Sequence, residues 1–298
     1  LLHDFSGKVK SIAIGNGEDE DTVVCVVERE INGSTEYHIE YMADQYIEEQ
    51  DKQHFLYGGI EYVAGSQADI TDISQAKPAV LTPESGHDLS LGDYVRINGV
   101  EGMTEMNGRI AKLNAVSGDG YEIQTINNAD FDTTGYDAYE SGGTATPVKK
   151  TISGLSHLEG EEVGLFADGA TLPNATVSSG GVEAQDWFNT FQIGLVVPSQ
   201  LVMLPIQATI GTYFRVTKLN LHVIESMGIY YGQYGYEGYE IDFRHAKDPI
   251  DTPVRKETGK QFFTLPWNIE QDGRAEFKSV GHTPLTIAGV QIFFEVYG

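Results

Sequence analysis

The chain has a single cysteine, Cys25, and few basic residues for its length. One cysteine can form neither an intrachain disulfide nor a cysteine-based metal cage. Lysine and arginine number 19 against 44 aspartates and glutamates in 298 residues, so the formal net charge is -25. Proteins that bind nucleic-acid phosphate or an anionic membrane surface need clustered cations, so the composition argues against both functions.

A long hydrophobic run is also missing. The most apolar stretch, Phe191–Ile206, is interrupted by Pro198 and two polar residues, so it is too short and too broken to span a bilayer, and we expect no membrane anchoring. Hydrophobic residues still make up 40% of the chain, which is enough for a sizeable core. The chain opens at Leu1 without a methionine, and strand-like segments follow at once, so we interpret it as a fragment.

Signatures of catalysis are lacking too. There is no His-Glu-x-x-His motif, Gly259-Lys260 is followed by Gln261 instead of completing a phosphate-binding loop, and Ser141 lacks the preceding glycine of a nucleophile elbow. No glycine-rich dinucleotide fingerprint is present. We therefore predict that the protein is not an enzyme, and we assign no catalytic, cofactor-binding or metal-binding residues and no cofactor.

Two acidic clusters have oxygen ligands of the kind that calcium prefers, but neither has the spacing of a twelve-residue calcium loop. The interpretation we favour for both is a solvated hairpin tip. The clusters are Glu18, Asp19, Glu20 and Asp21, and Asn127, Asn128, Asp130, Asp132 and Asp137.

Glycine is plentiful, and Asn-Gly or Asp-Gly pairs between apolar runs predict β-hairpins because both residues tolerate positive φ. The clearest pair is Asn32-Gly33, which is followed by a strand whose alternation predicts a half-buried antiparallel ribbon. Thr35, Tyr37, Ile39 and Tyr41 fall on one face of that strand, and Glu36, His38 and Glu40 fall on the other. The other pairs are Asn98-Gly99, Asn107-Gly108, Asp119-Gly120, Asp168-Gly169 and Asp272-Gly273.

Further strands are predicted along the rest of the chain, with a bulge at Gly289. The one helix candidate is Asp44–Phe55, whose apolar stripe is too sparse for more than a short surface helix. The chain is therefore predicted to be all-β, an antiparallel sandwich or barrel scaffold. The predicted strands are Tyr94–Ile97, Arg109–Val116, Tyr121–Ile126, Val163–Ala167, Phe191–Val197, Phe214–Ile224, Gln261–Leu265, Arg274–Ser279 and Leu285–Tyr297.

Composition divides the chain into three regions. Ser66–Asp93 is poor in large apolar residues and Ser141–Pro147 is rich in glycine and threonine, so both are interpreted as connections. The piece between them is interpreted as a small β-barrel inserted in a longer scaffold. The predicted regions are a hairpin-rich segment at 1–65, the connection and inserted barrel at 66–147, and a β-sandwich domain at 148–298.

The most unusual segment is Tyr230–Tyr239, in which tyrosines alternate with glycines after a strong strand. Tyrosine offers amphipathic contact area at low entropic cost, so we interpret the segment as a candidate contact loop for a sugar, a host protein or a neighbouring subunit. The alternative is an ordinary long hairpin whose rings pack on each other. The residues concerned are Tyr230, Tyr231, Tyr234, Tyr236 and Tyr239.

Several stretches resemble the carboxy-terminal part of tail tubular, or nozzle, proteins of short-tailed phages. They are Val24–Gly33, the Gly-Leu-Ser-His-Leu-Glu-Gly stretch at Gly154–Gly160, Phe166–Ala170, Leu204–Ile206 and Pro284–Ile287. The resemblance implies a structural virion protein that forms a ring, six-fold in the full-length protein. For His157 and Glu159 it favours a turn-stabilising role over a catalytic one.

The insert resembles something separate. Gly92–Ile97, Gly102–Arg109 and Thr134–Gly143 are similar to the first catalytic cysteine half-domain of ubiquitin-activating enzymes, a module that phage tail proteins often carry. Cys25 lies outside the insert, so no ubiquitin chemistry is expected of it.

These observations lead to one main hypothesis and two others. The main one is a passive conduit in a phage tail, located in the virion and in the host cytoplasm during assembly. Its partners would be copies of itself, the tail adaptor and the fibres, and DNA would pass without specific binding. The second is a carbohydrate- or receptor-binding β module of a phage tail. The third, a tail-borne glycan hydrolase, has no positive support in the sequence.

Overall fold

The computed structural model describes residues 7–16, 21–42, 56–196, 199–205, 213–248, 253–264 and 274–297. Regular structure in these ranges is antiparallel β-strand, apart from two 3₁₀ turns at Thr104–Met106 and Ser156–Leu158. The all-β prediction is therefore confirmed. None of the helices described is long and apolar enough to cross a membrane. The helix predicted at Asp44–Phe55 lies outside the described residues.

The strands are numbered in chain order. Those up to residue 153 are β1 (Lys8–Asn16), β2 (Asp21–Ile31), β3 (Ser34–Tyr41), β4 (Leu56–Val63), β5 (Ala68–Ile73), β6 (Val80–Pro83), β7 (Tyr94–Glu101), β8 (Ile110–Ser117), β9 (Gly120–Gln124) and β10 (Ser141–Ser153). Those that follow are β11 (Glu162–Ala167), β12 (Ala170–Thr176), β13 (Gly181–Phe188), β14 (Thr190–Val196), β15 (Gln200–Val202), β16 (Tyr213–Ser226), β17 (Gly228–Gln233), β18 (Tyr239–Asp242), β19 (Glu257–Thr264), β20 (Ala275–Lys278) and β21 (Thr286–Tyr297).

The contacts between strands divide the chain into two compact units. One comprises residues 61–154 and 181–191, and the other comprises 1–60, 155–180 and 192–298. The first unit contains one sheet of seven strands. The second contains a three-stranded sheet β1-β2-β3, a sheet β12-β11-β14-β4, and two further sheets ordered β15-β20-β17-β18 and β19-β16-β21.

The seven-stranded sheet closes into a barrel, as predicted for the insert. Its order β10-β5-β6-β9-β8-β7 returns to β10, and Thr144 of β10 pairs with Asp69 of β5 and with Asn98 of β7. β13 pairs with the far end of β10. Alternate side chains of the closed strands point inward, so the interior is a compact apolar core. That core includes Ile97, Met106, Leu113 and Ile123, all inaccessible to solvent.

The chain enters and leaves the barrel at adjacent points. The Asn189 side-chain amide donates to the carbonyl of Gly65 at 3.0 Å and to that of Pro147 at 2.7 Å. One step further in, the Thr146 hydroxyl donates to the Gln67 side chain at 3.3 Å. An element whose two ends meet in this way can be added to a scaffold with little change in loop entropy.

The two predicted connections are wrong in part, because both contain strands of the barrel. Ser66–Asp93 contains β5 and β6, and Ser141–Pro147 is the first half of β10. The glycines of β10 serve the closing seam: a Cβ on Gly143 would lie 2.6 Å from the Val100 side chain on β7. Glycine is therefore needed here for close approach of two strands and does not mark a loop.

The β1-β2-β3 sheet is half-buried, but the polar face of β3 is the one turned inward. Ile39 and Tyr41 are 70% and 73% exposed, whereas His38 and Glu40 are partly buried. On the inner face the Arg29 guanidinium, which is buried, forms an ion pair with the Glu40 carboxylate. Strand periodicity separates the two faces correctly, but it does not say which of them is covered.

The β15-β20-β17-β18 and β19-β16-β21 sheets pack face to face, which confirms the predicted sandwich. Their shared core includes Leu219, Leu221, Ile229 and Phe277. The two sheets meet where the rings of Tyr231 on β17 and Phe263 on β19 stack, with their centroids 4.3 Å apart. The predicted bulge is also present, because the register of β16 against β21 skips one residue next to Gly289.

The Asn-Gly and Asp-Gly pairs form hairpin turns in only some of the predicted places. Asn32-Gly33 and Asp168-Gly169 do so, with positive φ at all four residues. The turn at Asp119-Gly120 is displaced by one residue, because Ser117 pairs with Gly120 and Gly118 has the positive φ. Asn98-Gly99 lies inside β7, Asn107-Gly108 follows a 3₁₀ turn, and Asp272-Gly273 lies outside the described residues.

Candidate contact surfaces

The five tyrosines predicted to form a contact loop lie in a β-hairpin instead. Tyr230 and Tyr231 belong to β17, Tyr239 belongs to β18, and Tyr234 and Tyr236 occupy the turn between the two strands. We call β17, β18 and their connecting turn the tyrosine hairpin. The prediction of a loop is thus wrong for three of the five residues, which are paired in strands.

Two of the tyrosines hold the hairpin together. Tyr231 is buried, and its ring lies 5.7 Å from that of Tyr239. Burial raises the pKa of the Tyr231 hydroxyl. The Tyr230 hydroxyl accepts a hydrogen bond from the Gly238 amide at 2.8 Å, and the Lys278 ammonium lies 5.0 Å from the Tyr230 ring. These contacts match the alternative interpretation, in which the rings pack on each other.

Several side chains at the free end of the hairpin face solvent. Tyr236 is 49% exposed, and Tyr234 and Tyr239 are exposed to a similar extent. Glu237 and Glu240 beside them are exposed as well. The Arg274 guanidinium lies 5.9 Å from the Tyr234 ring, so the free end of the hairpin presents exposed rings and two carboxylates beside one cation. Its two exposed carboxylates can contact a basic partner surface.

A second candidate surface was not found by sequence reasoning. It is the middle part of the outer face of the β19-β16-β21 sheet, which we call the basic face. Phe262 on this face is 72% exposed, and Phe293 is exposed too. The face consists of three cross-strand rows: Thr264, Lys218 and Phe293; Phe262, Asn220 and Gln291; and Lys260, His222 and Gly289.

The sequence signal for this face is the alternation along β16. Lys218 and His222 are exposed, whereas Leu219, Leu221 and Val223 are buried. The neighbours on β19 and β21 cannot be identified without the strand register, because pairing alone brings Lys260 and Phe293 beside β16. The composition does not indicate this face, because a net charge of -25 is a sum over the whole chain and says nothing of a local cluster of cations.

The contacts within the polar cluster under the β1-β2-β3 sheet indicate that it stabilises the fold. The Arg29 guanidinium donates to the Glu40 carboxylate, with one N–O distance of 3.0 Å, and lies next to the His38 ring. The His157 ring contacts the carbonyl of Gly58 at 2.9 Å and packs edge-on against His38. Burial, and then the nearby Arg29 charge, lower the pKa of His38, which favours its neutral form.

Glu159 stabilises a turn, as predicted from the sequence. Its carboxylate accepts hydrogen bonds from the backbone amides of Ser179 at 2.9 Å and Gly180 at 2.7 Å. Ser179 and Gly180 both have positive φ, so the carboxylate satisfies two amides of a strained turn.

The acidic residues near 130 are bonded to protein groups. The Asp132 carboxylate accepts hydrogen bonds from the Thr134 hydroxyl at 2.7 Å and the Lys77 ammonium at 3.1 Å, and Asp130 accepts one from Gln124. The Thr134 and Lys77 contacts lower the pKa of Asp132 to about 2. Within the described ranges, no three His, Cys, Asp or Glu side chains are grouped so as to hold a metal ion. Glu18, Asp19 and Glu20 lie outside those ranges.

Comparison with known families identifies the barrel. Residues 77–149 match the family model of the ubiquitin-activating enzyme E1 FCCH domain. The match runs from just before β6 into β10, and it confirms the resemblance inferred for the insert. The protein is thus an all-β protein that carries a barrel similar to this half-domain. No curated protein matches the chain.

Proposed function

We propose that this chain is a structural subunit of a virion, part of the tail tube or nozzle of a short-tailed phage. It would assemble as a ring, six-fold by resemblance, and would contact the adaptor and the fibres. It would reside in the virion, and in the host cytoplasm during assembly. The observation that carries the proposal is a closed FCCH-like barrel joined to open sheets whose apolar side chains are exposed.

Exposed apolar sheet faces support an assembling subunit. Tyr37, Ile39 and Tyr41 line the outer face of the β1-β2-β3 sheet, and Phe262 stands out from another sheet. Monomeric soluble proteins rarely expose contiguous apolar patches of this kind, which are common at protein–protein interfaces. Rings repeat one interface around an axis, so two separate surfaces on each subunit can both be covered.

The acidic composition suits a conduit for DNA. A channel lined by clustered cations would retain phosphate, because each neutralised phosphate adds affinity through counterion release. With a net charge of -25, the subunit should instead repel DNA over about one Debye length, roughly 8 Å at physiological salt. The mechanism is passive: the ring holds a channel and carries the neighbouring tail parts.

The proposal is tested by electron cryomicroscopy of virions whose genome encodes this chain. We expect density for the barrel and the scaffold sheets in a ring around the tail axis. Virions that lack the protein, or that carry it at one copy outside the tail, would contradict the proposal.

A second candidate function is favoured by one observation, the three exposed tyrosines of the hairpin. A carbohydrate- or receptor-binding module could stack sugar rings on Tyr234 and Tyr236. Its test is a glycan array probed with the wild-type chain, with Tyr234→Ala/Tyr236→Ala, and with Tyr213→Ala as a matched exposed control. Glycan binding lost only in the hairpin variant would favour this function over the first.

A further inference from the structure

We propose that the tyrosine hairpin of one copy of this chain docks on the basic face of a second copy. The inference rests on the proposed function, since a ring needs a contact between unlike surfaces, and it deepens that function by naming the two surfaces. The two surfaces are complementary in charge and aromatic content, and they lie on opposite sides of the sandwich.

The basic face is the place where an acidic copy can approach without repulsion. Its three rows contain Lys218, Lys260 and His222 and include no aspartate or glutamate, and in the next row along the sheet Glu295 pairs with Arg215. All three side chains are exposed, and neither lysine has an ion-pair partner among the described residues. Two copies that each carry a net charge of -25 repel one another over most of their surfaces, so a local excess of cations directs the encounter.

The tyrosine hairpin has the complementary composition. Glu237 and Glu240 are exposed, and neither is ion-paired within the part of the chain that the structure describes. Tyr234, Tyr236 and Tyr239 provide three exposed rings. Rings of tyrosine can pack on the exposed phenylalanines of the basic face and can accept its ammonium groups over their faces.

A hairpin cannot occupy the basic face of its own chain. Tyr231 of the hairpin stacks on Phe263, which points into the sandwich core from β19. The neighbouring Phe262 points the opposite way, because side chains alternate along a strand. The hairpin and the basic face thus lie on opposite sides of one sheet, and only a second copy can bring them together.

A contact between unlike surfaces can be used in two ways. Two copies can dock reciprocally about a two-fold axis, which covers both surfaces of each copy, or copies can dock head to tail, which leaves one surface of each type uncovered. Head-to-tail contacts continue until they close into a ring or extend into a filament. The head-to-tail arrangement is the one that a ring-forming tail subunit requires, and a sedimentation series that stops at a dimer would indicate the reciprocal pair.

The test is a charge-swap experiment with the whole chain. Lys218→Glu/Lys260→Glu makes the face acidic, and Glu237→Lys/Glu240→Lys makes the hairpin basic. Sedimentation velocity over a concentration series should show self-association weakened about tenfold or more in each double variant, because both then oppose like charges. An equimolar mixture should recover association to within about threefold of the wild type, since each face again meets a hairpin of opposite charge.

Arg109→Glu/Lys247→Glu is the matched control, since it changes the net charge as much as the face variant does and alters two exposed residues outside both surfaces. We expect it to weaken association by less than about twofold. Association that is unchanged in both swap variants would overturn the inference and leave the proposed ring with another interface. A wild-type chain that stays monomeric at every concentration would overturn the inference and count against the proposed ring as well.

A cross-linking measurement covers the case of weak association. Phe262→Cys mixed with Tyr236→Cys should form a disulfide-linked pair faster than either variant alone, and the native Cys25 is buried. The last measurement is a titration of a fluorescent single-stranded oligonucleotide with the wild-type chain and with the face variant. Saturable binding that Lys218→Glu/Lys260→Glu abolishes, with self-association unchanged, would assign the face to nucleic acid and overturn the proposal.

Discussion

The barrel and the open scaffold sheets are built from the same antiparallel strands, yet they treat their apolar side chains differently. In the barrel, β10 pairs on both sides, so the ring of strands has no free edge and its apolar residues fill one interior. In the scaffold, the sheets that the described strands form are open, and residues such as Ile39 and Phe262 face solvent. In a closed barrel the backbone hydrogen bonds of every strand are made within the chain, whereas an open sheet leaves edges and faces that a partner can contact.

The largest effect should come from removing the barrel at two different sets of boundaries. Replacing residues 67–146 with a short Gly/Ser linker removes β5 to β9 and the first part of β10, and it leaves the part of β10 that pairs with β13. The join falls where the Asn189 side chain already bridges the carbonyls of Gly65 and Pro147. We expect the remaining sheets to keep a cooperative thermal transition in near-UV circular dichroism.

Replacing only Ser90–Thr146 should be far more damaging. That deletion keeps β5 and β6 and removes the strands that close over them, which exposes Ile70 and Leu81. We expect loss of the cooperative transition and aggregation on expression. Equal behaviour of the two deletions would show that the barrel is not a separate folding unit.

The buried ion pair of the β1-β2-β3 sheet offers a test of what stabilises the scaffold. Arg29→Leu leaves the Glu40 carboxylate without its buried partner, so it should lower the free energy of unfolding by about 3–5 kcal/mol in urea titrations. The double variant Arg29→Leu/Glu40→Leu should recover most of the loss, because apolar pairs can replace buried ion pairs. No recovery would mean that Arg29 stabilises the sheet through other groups.

A matched pair of apolar truncations compares the two regions directly. Leu113→Ala removes a fully buried side chain from the barrel core and should cost about 2–5 kcal/mol of unfolding free energy. Ile39→Ala removes a side chain that is 70% exposed on the scaffold and should change stability by no more than about 0.5 kcal/mol in the isolated chain. Urea unfolding of both variants measures the difference, and similar losses would contradict it.

Much of the local structure could be predicted from the sequence, because it depends on residues that are close together in the chain. Asn32-Gly33 and Asp168-Gly169 gave correct turns, and the alternation around Tyr37 gave a correct strand. What depended on distant residues could not be predicted. The inward turn of His38 depends on packing, and the strand character of Gly143 depends on its approach to β7.

The candidate surfaces divide in the same way. The tyrosine hairpin was found because its composition is unusual, although Tyr231 proved to be a buried core residue. The basic face was missed because its residues come from three strands that are distant in sequence. Only the register of β16 against β19 and β21 places Lys218, Lys260 and Phe293 together.

The smallest effect should be an acid dependence that belongs to the barrel. Contacts with Thr134, and then with Lys77, lower the pKa of Asp132 from 3.8 to about 2, so the folded barrel holds this carboxylate in its charged form more firmly than the unfolded chain does. The resulting stabilisation is present above pH 3.8 and is lost as the pH falls toward about 2.

Asp132→Asn should remove this part of the pH dependence, so that urea midpoints measured between pH 4 and pH 2 fall less steeply than in the wild type. The effect should be modest, because Asp132 is exposed and solvent screens its contact with Lys77. Asp119→Asn, in the exposed turn before β9, is the control for the loss of one carboxylate from the barrel. If Asp132→Asn kept the wild-type profile, the Thr134 and Lys77 contacts would not be coupled to folding, and the acid dependence would have to come from carboxylates elsewhere in the chain.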